Sequence, residues 1–165
     1  MSRPQRIEPG PGQESVWDYP RPPRIEPATR RVRIVFNGHI IVDSVRPLRV
    51  LETSGPPVYY IPPEDVAMDL LAPSGHQTFC EWKGQAEHYS IRVDGREAVD
   101  AAWSYGSPTH GYEPIAGYFA FYPGRVDECT LDGEPVLPQP GSYYGGWITS
   151  EVVGPFKGEP GSEDW

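Results

Sequence analysis

The sequence has little lysine and little cysteine. Only Lys83 and Lys157 are lysines, and only Cys80 and Cys129 are cysteines. The two cysteines lie far apart and form no Cys-x-x-Cys pair, which excludes a structural zinc site built on such pairs. The four histidines show no metal-ligand spacing either. We therefore expect no metal and no other cofactor.

Signals for a membrane or for export are also missing. No apolar run approaches the roughly 18 residues that a helix needs to cross a bilayer, and no apolar core of a signal peptide is present. These absences favour a soluble cytoplasmic protein with reduced thiols and no membrane partner.

Proline and glycine are abundant, and they exclude long helices. The chain holds 21 prolines and 18 glycines, and proline inside a helix removes a backbone donor and clashes with the preceding turn. Such a content approaches that of low-complexity chains. However, aromatic residues make up 12% of the chain, whereas disordered chains are usually poor in them. We therefore expect one mainly β domain with many turns and a single core.

The charge is unevenly distributed along the chain. The net charge is -9, yet residues 1–49 contain nine arginines against five acidic residues. The remaining body is strongly acidic and would repel a polyanion, which argues against a nucleic-acid partner. The arginines could bind phosphate, but the simpler interpretation is that they lie on the acidic body.

Composition divides the chain into three parts. Residues 1–30 are rich in proline and carry Arg-Ile-Glu-Pro twice, which predicts an extended arm. The two copies could make equivalent strand-like contacts, or they could be a chance repeat. Residues 31–137 are predicted to form the β domain. Residues 138–165 are rich in proline, glycine and aromatic side chains, which predicts a tail docked on that domain.

Runs of β-branched residues around short turns predict the strands of the domain. The strongest signal is the turn Asn37-Gly38 between two such runs, which is typical of a hairpin. Similar hairpins are predicted at Asp94-Gly95 and Asp132-Gly133. Further strands are predicted over residues 47–51, 58–61 and 116–122, the last as a central strand with its aromatic residues in the core. One short helix is expected over residues 64–71, after two prolines and with acidic residues in its first turn.

The densest group of reactive side chains lies in residues 78–86. If this segment is extended, Cys80 and Trp82 point to one face, and Glu81 and Lys83 to the other. A functional interpretation makes Lys83 an anion clamp or a nucleophile with a lowered pKa, and Cys80 a reactive thiol. A structural one makes Cys80 a buried apolar group and Lys83 a solvated partner of Glu81. The Trp-Lys-Gly of this segment is echoed in the tail by Phe-Lys-Gly at Lys157.

A second aromatic group lies in residues 101–105, where Trp103 and Tyr105 share a face. Together with Trp82 and either Tyr59 or Tyr60 they could line a small-ligand pocket, including a cage for a cationic group, or they could simply fill the core. Our leading interpretation is a pocket, with Lys83 as its polar anchor. The predicted ligand-binding residues are Tyr60, Cys80, Trp82, Lys83, Trp103 and Tyr105.

Five motifs follow one another in the order found in a known family. They occupy residues 49–53, 57–66, 80–84, 101–105 and 115–123. They resemble the bacterial and fungal domain of unknown function 427, and the resemblance runs from about Val32 to Val136. The tail, with Gly-Trp-Ile-Thr from Gly146 and Gly-Pro-Phe-Lys-Gly from Gly154, resembles the longer, actinobacterial-type members.

The resemblance implies a small β-tent fold of the Mss4-like kind, in which two sheets meet at an angle. Other proteins with that fold include methionine sulfoxide reductases, zinc-bearing modules and domains that hold ligands in tryptophan cages. The resemblance does not imply a zinc site in this protein, because the paired Cys-x-x-Cys ligands are missing. A nucleotidyltransferase label sometimes given to the family finds no Gly-Ser and Asp-x-Asp arrangement to support it. Fold alone assigns no function here.

Three functions remain open at this point. The leading hypothesis is a non-enzymatic module that binds a small molecule without a metal. The first alternative is an enzyme that acts on a small metabolite through Cys80 or Lys83. The second is a structural protein whose arm and tail mediate homo-oligomerisation. The sequence does not name the ligand or the reaction.

Overall fold

The computed structural model describes residues 4–165, so Arg3, which belongs to the predicted arm, lies outside the described residues. Within this range the chain forms short strands and isolated 3₁₀ turns, which confirms the expected mainly β fold. The strands are β1 Glu14–Ser15, β2 Arg24–Pro27, β3 Val32–Phe36, β4 His39–Ser44, β5 Leu48–Leu51, β6 Val58–Tyr60, β7 Leu71–Cys80, β8 Gly84–Val93, β9 Arg96–Ser104, β10 Phe119–Phe121, β11 Glu128–Leu131, β12 Glu134–Pro135, β13 Leu137–Pro138, β14 Trp147–Ile148 and β15 Val152–Val153. The 3₁₀ turns span Val16–Asp18, Pro63–Asp65, Met68–Leu70, Glu113–Ile115 and Pro123–Arg125.

The three predicted hairpins are confirmed. In each, the two turn residues have positive φ, as at Asn37 (47°) and Gly38 (78°). Asparagine, aspartate and glycine tolerate this backbone, which matches the twist of the flanking strands. The hairpins join β3 to β4, β8 to β9 and β11 to β12.

Two four-stranded sheets carry most of the hairpins. One has the strand order β12-β11-β3-β4 and the other the order β10-β9-β8-β7. Along β3, Val32, Ile34 and Phe36 are buried, and they join a core to which both sheets contribute. Every second side chain of this strand therefore faces the core.

The strand expected as a central one over residues 116–122 is shorter and lies at one end of its sheet. Only Phe119–Phe121 is extended, and it pairs with β9 alone apart from a single bridge between Phe119 and Ile61. The preceding 3₁₀ turn and the positive φ of Gly117 (74°) turn the chain just before it. Phe119 and Phe121 are nevertheless buried in the core, as expected.

The expected helix over residues 64–71 does not form. Two 3₁₀ turns, Pro63–Asp65 and Met68–Leu70, take its place. Between them Val66 forms a bridge with Val42, and the Ala67 amide donates a 2.8 Å hydrogen bond to the Ile41 carbonyl. The Ala67 amide is thus engaged by β4, and the Val66 amide donates to the Pro63 carbonyl, which closes only a 3₁₀ turn.

The two Arg-Ile-Glu-Pro copies are not equivalent. The second copy is strand β2, which pairs with β5 in a three-stranded sheet that β6 completes. The first copy forms no strand. There Ile7 donates a single backbone hydrogen bond to Gly154, and Arg6 pairs with Glu8 and Asp18.

Residues 138–165 contact the sheets through aromatic side chains. Trp147 is fully buried, stacks on Tyr59 at a centroid distance of 4.8 Å and donates a 3.0 Å hydrogen bond to the Phe121 carbonyl. Strand β14 pairs with β13, and β15 pairs with β1. Among the described residues, no helix has the length and apolar character needed to cross a membrane.

Candidate functional site

A cavity of about 450 Å³ opens at the surface beside a buried aromatic cluster. We define this cluster as Tyr60, Trp103, Tyr105 and Tyr112 with the small apolar residues packed between them. The cavity is bordered by β6, by the turn between β7 and β8, by the end of β9 and by residues 139–145. All six predicted ligand-binding residues line it, namely Tyr60, Cys80, Trp82, Lys83, Trp103 and Tyr105.

The β7–β8 turn brings Lys83 to Cys80. Cys80 pairs with Gly84 at the end of the ladder, and the three residues between them reverse the chain. Lys83 Nζ consequently lies 3.3 Å from Cys80 Sγ. The extended arrangement, which placed these two side chains on opposite faces, is therefore wrong, because the chain turns within the segment.

Lys83 is a half-buried cation. Burial lowers the pKa of its ammonium, but the neighbouring Tyr60 hydroxyl and the Cys80 sulfur, which accepts its hydrogen bond, favour the charged form and outweigh this effect. The pKa of Lys83 therefore lies above its usual value, and the group is charged at neutral pH. This contradicts the interpretation of Lys83 as a nucleophile with a lowered pKa. Nor does Lys83 form an ion pair with Glu81 in the part of the chain that the structure describes.

The aromatic walls are held in place by contacts among themselves. The Trp103 indole packs edge-on against Tyr60 at 87° and donates a 3.4 Å hydrogen bond to its hydroxyl. Tyr105 lies against the other side of Tyr60, with 6.3 Å between ring centroids. Burial is the main cause that raises the pKa of Tyr60 and of Tyr105, so both phenols stay neutral. These three rings therefore belong to the buried core and also form the wall of the cavity.

Trp82 and Cys80 form the more accessible part of the site. Both are half-buried and pack against the aromatic cluster. Cys129, by contrast, is buried in the main core, far from this cavity's lining. Cys80 is thus only partly buried, although it packs against apolar side chains as its structural interpretation expects.

Sequence reasoning did not include His88 in the site. His88 lines the cavity, stacks on Trp103 at 6.4 Å and has its Nε2 2.9 Å from the Thr78 hydroxyl. Its Nδ1 is buried without a hydrogen-bond partner. Within residues 4–165 no group of three or more His, Cys, Asp or Glu side chains is arranged to hold a metal ion. The pairing of β8 with β9 places His88 opposite Trp103, and no local pattern signals it.

A family model described as Domain of unknown function (DUF427) matches residues 24–132. The chain belongs to this DUF427 family. The match covers more than half of the sequence and contains all six predicted site residues. No curated protein matches the chain.

Residues outside the DUF427 match complete the cavity. Arg21 precedes the match, and the others follow it: Gln139, Tyr143, Tyr144, Gly145 and Lys157. The sequence signals for them were the aromatic residues of the tail, the scarcity of lysine and the similarity of Phe-Lys-Gly at Lys157 to Trp-Lys-Gly.

Gln139, which lines the cavity, joins two other segments of the tail to each other. Its Oε1 accepts a 3.0 Å hydrogen bond from the Gly146 amide, and its Nε2 donates one of 2.7 Å to the Lys157 carbonyl. A further 2.9 Å hydrogen bond joins the Tyr122 hydroxyl to the Tyr143 carbonyl. This last hydrogen bond ties the tail to Tyr122, which packs against the aromatic cluster.

Proposed function

We propose that this DUF427 protein binds a small molecule in the aromatic cavity, with Lys83 as the polar anchor. The observation that carries the proposal is the convergence of buried rings and a half-buried ammonium on one cavity. A binding site of this kind has mostly apolar walls and a few polar groups that orient the ligand. Its volume of about 450 Å³ is within the range of small-molecule sites.

The shape of the walls favours a flat ligand. Trp103, Tyr60 and Tyr105 present ring faces and edges that are fixed by mutual contacts. Aromatic side chains pack against flat apolar groups with favourable offset or edge-on geometry. Because the walls are already ordered, a ligand need not organise them on binding, which favours affinity.

A second candidate function, an enzyme that uses Cys80, is favoured by one specific contact. The Cys80 thiol lines the cavity and accepts a hydrogen bond from the Lys83 ammonium. A thiol placed beside a cation at an open cavity is the usual arrangement of a reactive cysteine. Under this alternative the bound molecule would carry an electrophilic carbon next to Cys80.

We also propose that the protein acts in the cytoplasm. Cys80 and Cys129 are both free thiols, and a cytoplasmic protein keeps its thiols reduced. Fractionation of cells that express the full chain tests this, and recovery outside the cytoplasm would contradict it.

A ligand-observed NMR screen of flat aromatic fragments against the full chain tests the binding function. We expect several fragments to bind and to compete for a single site. Binding should be lost in Trp82→Ala, because Trp82 is a half-buried part of the cavity wall. The matched control is Trp17→Ala, which removes another half-buried indole that does not line the cavity. The proposal fails if no fragment binds, or if the two variants lose binding equally.

A further inference from the structure

We infer that the ligand of the aromatic cavity carries an oxyanion, a carboxylate or a phosphate, held by Lys83 and Lys157. The inference rests on the proposed function and names the chemical class of the ligand. The sequence contains only these two lysines, and the fold brings both to the same cavity. They come from different parts of the chain, since Lys83 lies within the DUF427 match and Lys157 lies in the tail.

The two lysines differ from most other cations of the protein. Nine arginines form ion pairs with carboxylates, namely Arg6, Arg21, Arg24, Arg30, Arg31, Arg46, Arg49, Arg92 and Arg96. Among residues 4–165, neither lysine has an Asp or Glu side chain as an ion-pair partner. In a chain of net charge -9, acidic side chains are plentiful. Since no such side chain neutralises either ammonium in this part of the chain, both can attract a bound anion.

Each ammonium retains unused hydrogen-bond donors. Lys83 donates to Cys80 Sγ and lies 5.9 Å from the centre of the Tyr105 ring. Lys157 donates a 3.4 Å hydrogen bond to the Trp165 carbonyl and lies 5.4 Å from the centre of the Tyr144 ring. A lysine ammonium has three donors. Both therefore have donors left for the oxygens of a carboxylate or a phosphate.

The charged lining of the cavity has a net positive sign. Three cations, Arg21, Lys83 and Lys157, face two carboxylates, those of Glu52 and Glu81. Glu52 is engaged by Arg21 at 3.1 Å. A positive cavity within a strongly acidic protein attracts anions locally while the rest of the surface repels them. The ligand should therefore be small enough to enter the cavity without lying across the acidic surface.

The flat wall and the two ammonium groups together define the ligand class. Trp103, Tyr60 and Tyr105 would contact an apolar, planar body, and the lysines would hold its oxyanion. Charge-assisted hydrogen bonds to carboxylate or phosphate are about twice as strong as neutral ones. The anion should thus dominate the selectivity among ligands of equal size.

Titration calorimetry of the full chain with three matched probes tests the inference. The probes are phenylacetate, phenyl phosphate and the neutral phenylacetamide. We expect at least one anionic probe to bind about tenfold more tightly than the amide, and the difference to shrink as salt is added. Whichever of the two anions binds more tightly shows whether the site prefers a carboxylate or a phosphate.

Lysine variants test whether the tighter binding of the anionic probes depends on the cavity. Lys83→Gln and Lys157→Gln should each weaken the binding of the anion by about tenfold and leave the amide unchanged. Lys83→Arg keeps the charge and should restore most of the affinity. Arg33→Gln is the matched control, because it removes one positive charge from an exposed side chain outside the cavity. Thermal unfolding of each variant verifies that it folds.

The possible results separate the two proposals. If the amide binds as tightly as the anions, or if Arg33→Gln weakens the anions as much as the lysine variants do, the oxyanion inference is wrong. The binding function then still stands on the fragment screen. If none of the three probes binds, the oxyanion inference also fails, and the binding function fails with it only when the fragment screen finds no cavity-dependent ligand.

Discussion

Lys83 Nζ lies 3.3 Å from Cys80 Sγ, where the turn between β7 and β8 enters the cavity wall. This contact joins the proposed anchor of the ligand to the candidate nucleophile. It exists because three residues reverse the chain between Cys80 and Gly84. A ligand held by Lys83 would therefore lie directly over the Cys80 sulfur, and the thiol can serve as a reporter of occupancy.

The two cysteines should differ sharply in their reactivity. We expect iodoacetamide to modify Cys80 in the folded protein and to spare Cys129. Burial shields Cys129 and raises the pKa of its thiol, so that it stays protonated. Intact-protein mass spectrometry with peptide mapping measures the sites. Cys80→Ser is the control and should take up no label. Faster labelling of Cys129, or no labelling of either thiol, would contradict this assignment.

His88 should make the stability of the fold depend on pH. Burial is the main cause that lowers the pKa of His88 below its usual 6.5, with a further contribution from His76. The unfolded chain then binds a proton more readily than the folded one, so the free energy of unfolding decreases as the pH falls from about 7 to about 5. Chemical denaturation at several pH values measures this slope.

His88→Gln should remove most of that slope, because glutamine does not titrate and can still bond to the Thr78 hydroxyl. The matched control is His110→Gln, since the His110 side chain is 99% exposed. Parallel curves for wild type and His88→Gln would rule out His88 as the titrating group.

Gly145 should be intolerant of any side chain. A Cβ at this position would lie 2.2 Å from the Trp103 ring, and the ring is buried. Gly145→Ala must therefore shift the tail or the indole, and we expect a loss of about 1–3 kcal/mol in the free energy of unfolding. Gly106→Ala is the control, because a Cβ there meets no atom within 4 Å. Equal stability of the two variants in urea titrations would show that the tail does not pack on Trp103.

Gln139 should couple the tail to the cavity. Gln139→Ala leaves the Gly146 amide and the Lys157 carbonyl without their hydrogen bonds, at a cost of about 1–3 kcal/mol. We also expect it to weaken binding of the anionic probe, since the backbone of Lys157 loses its fixed position. Gln77→Ala removes an exposed glutamine far from this network and serves as the control. A Gln139→Ala variant with unchanged stability and unchanged anion affinity would contradict this role.

The hairpins were predictable because their information is local. Asn37-Gly38 and its two counterparts require positive φ, and the residues that tolerate it are visible in the sequence. The prediction of a helix over residues 64–71 was wrong because the deciding contact is not local. The proline and acidic start of this segment favour a helix, but the bridge from Val66 to Val42 is formed with a strand that is distant in sequence.

The candidate site was predictable only in part, for a similar reason. Rare residues and aromatic clusters point to Lys83 and Trp103, which belong to compact motifs. His88 lines the cavity because the ladder between β8 and β9 places it opposite Trp103, and Lys157 is held there by the hydrogen bond from Gln139 to its carbonyl. Such contacts depend on tertiary structure and leave no spacing pattern in the chain.

The most direct test of the central claim is a crystal structure of the full chain soaked with the tightest-binding probe or fragment. We predict electron density for the compound against the Trp103 ring, with its polar group within hydrogen-bond distance of Lys83 Nζ. Density for the compound only outside the aromatic cavity, or a cavity that stays empty at a saturating concentration, would contradict the proposed binding function.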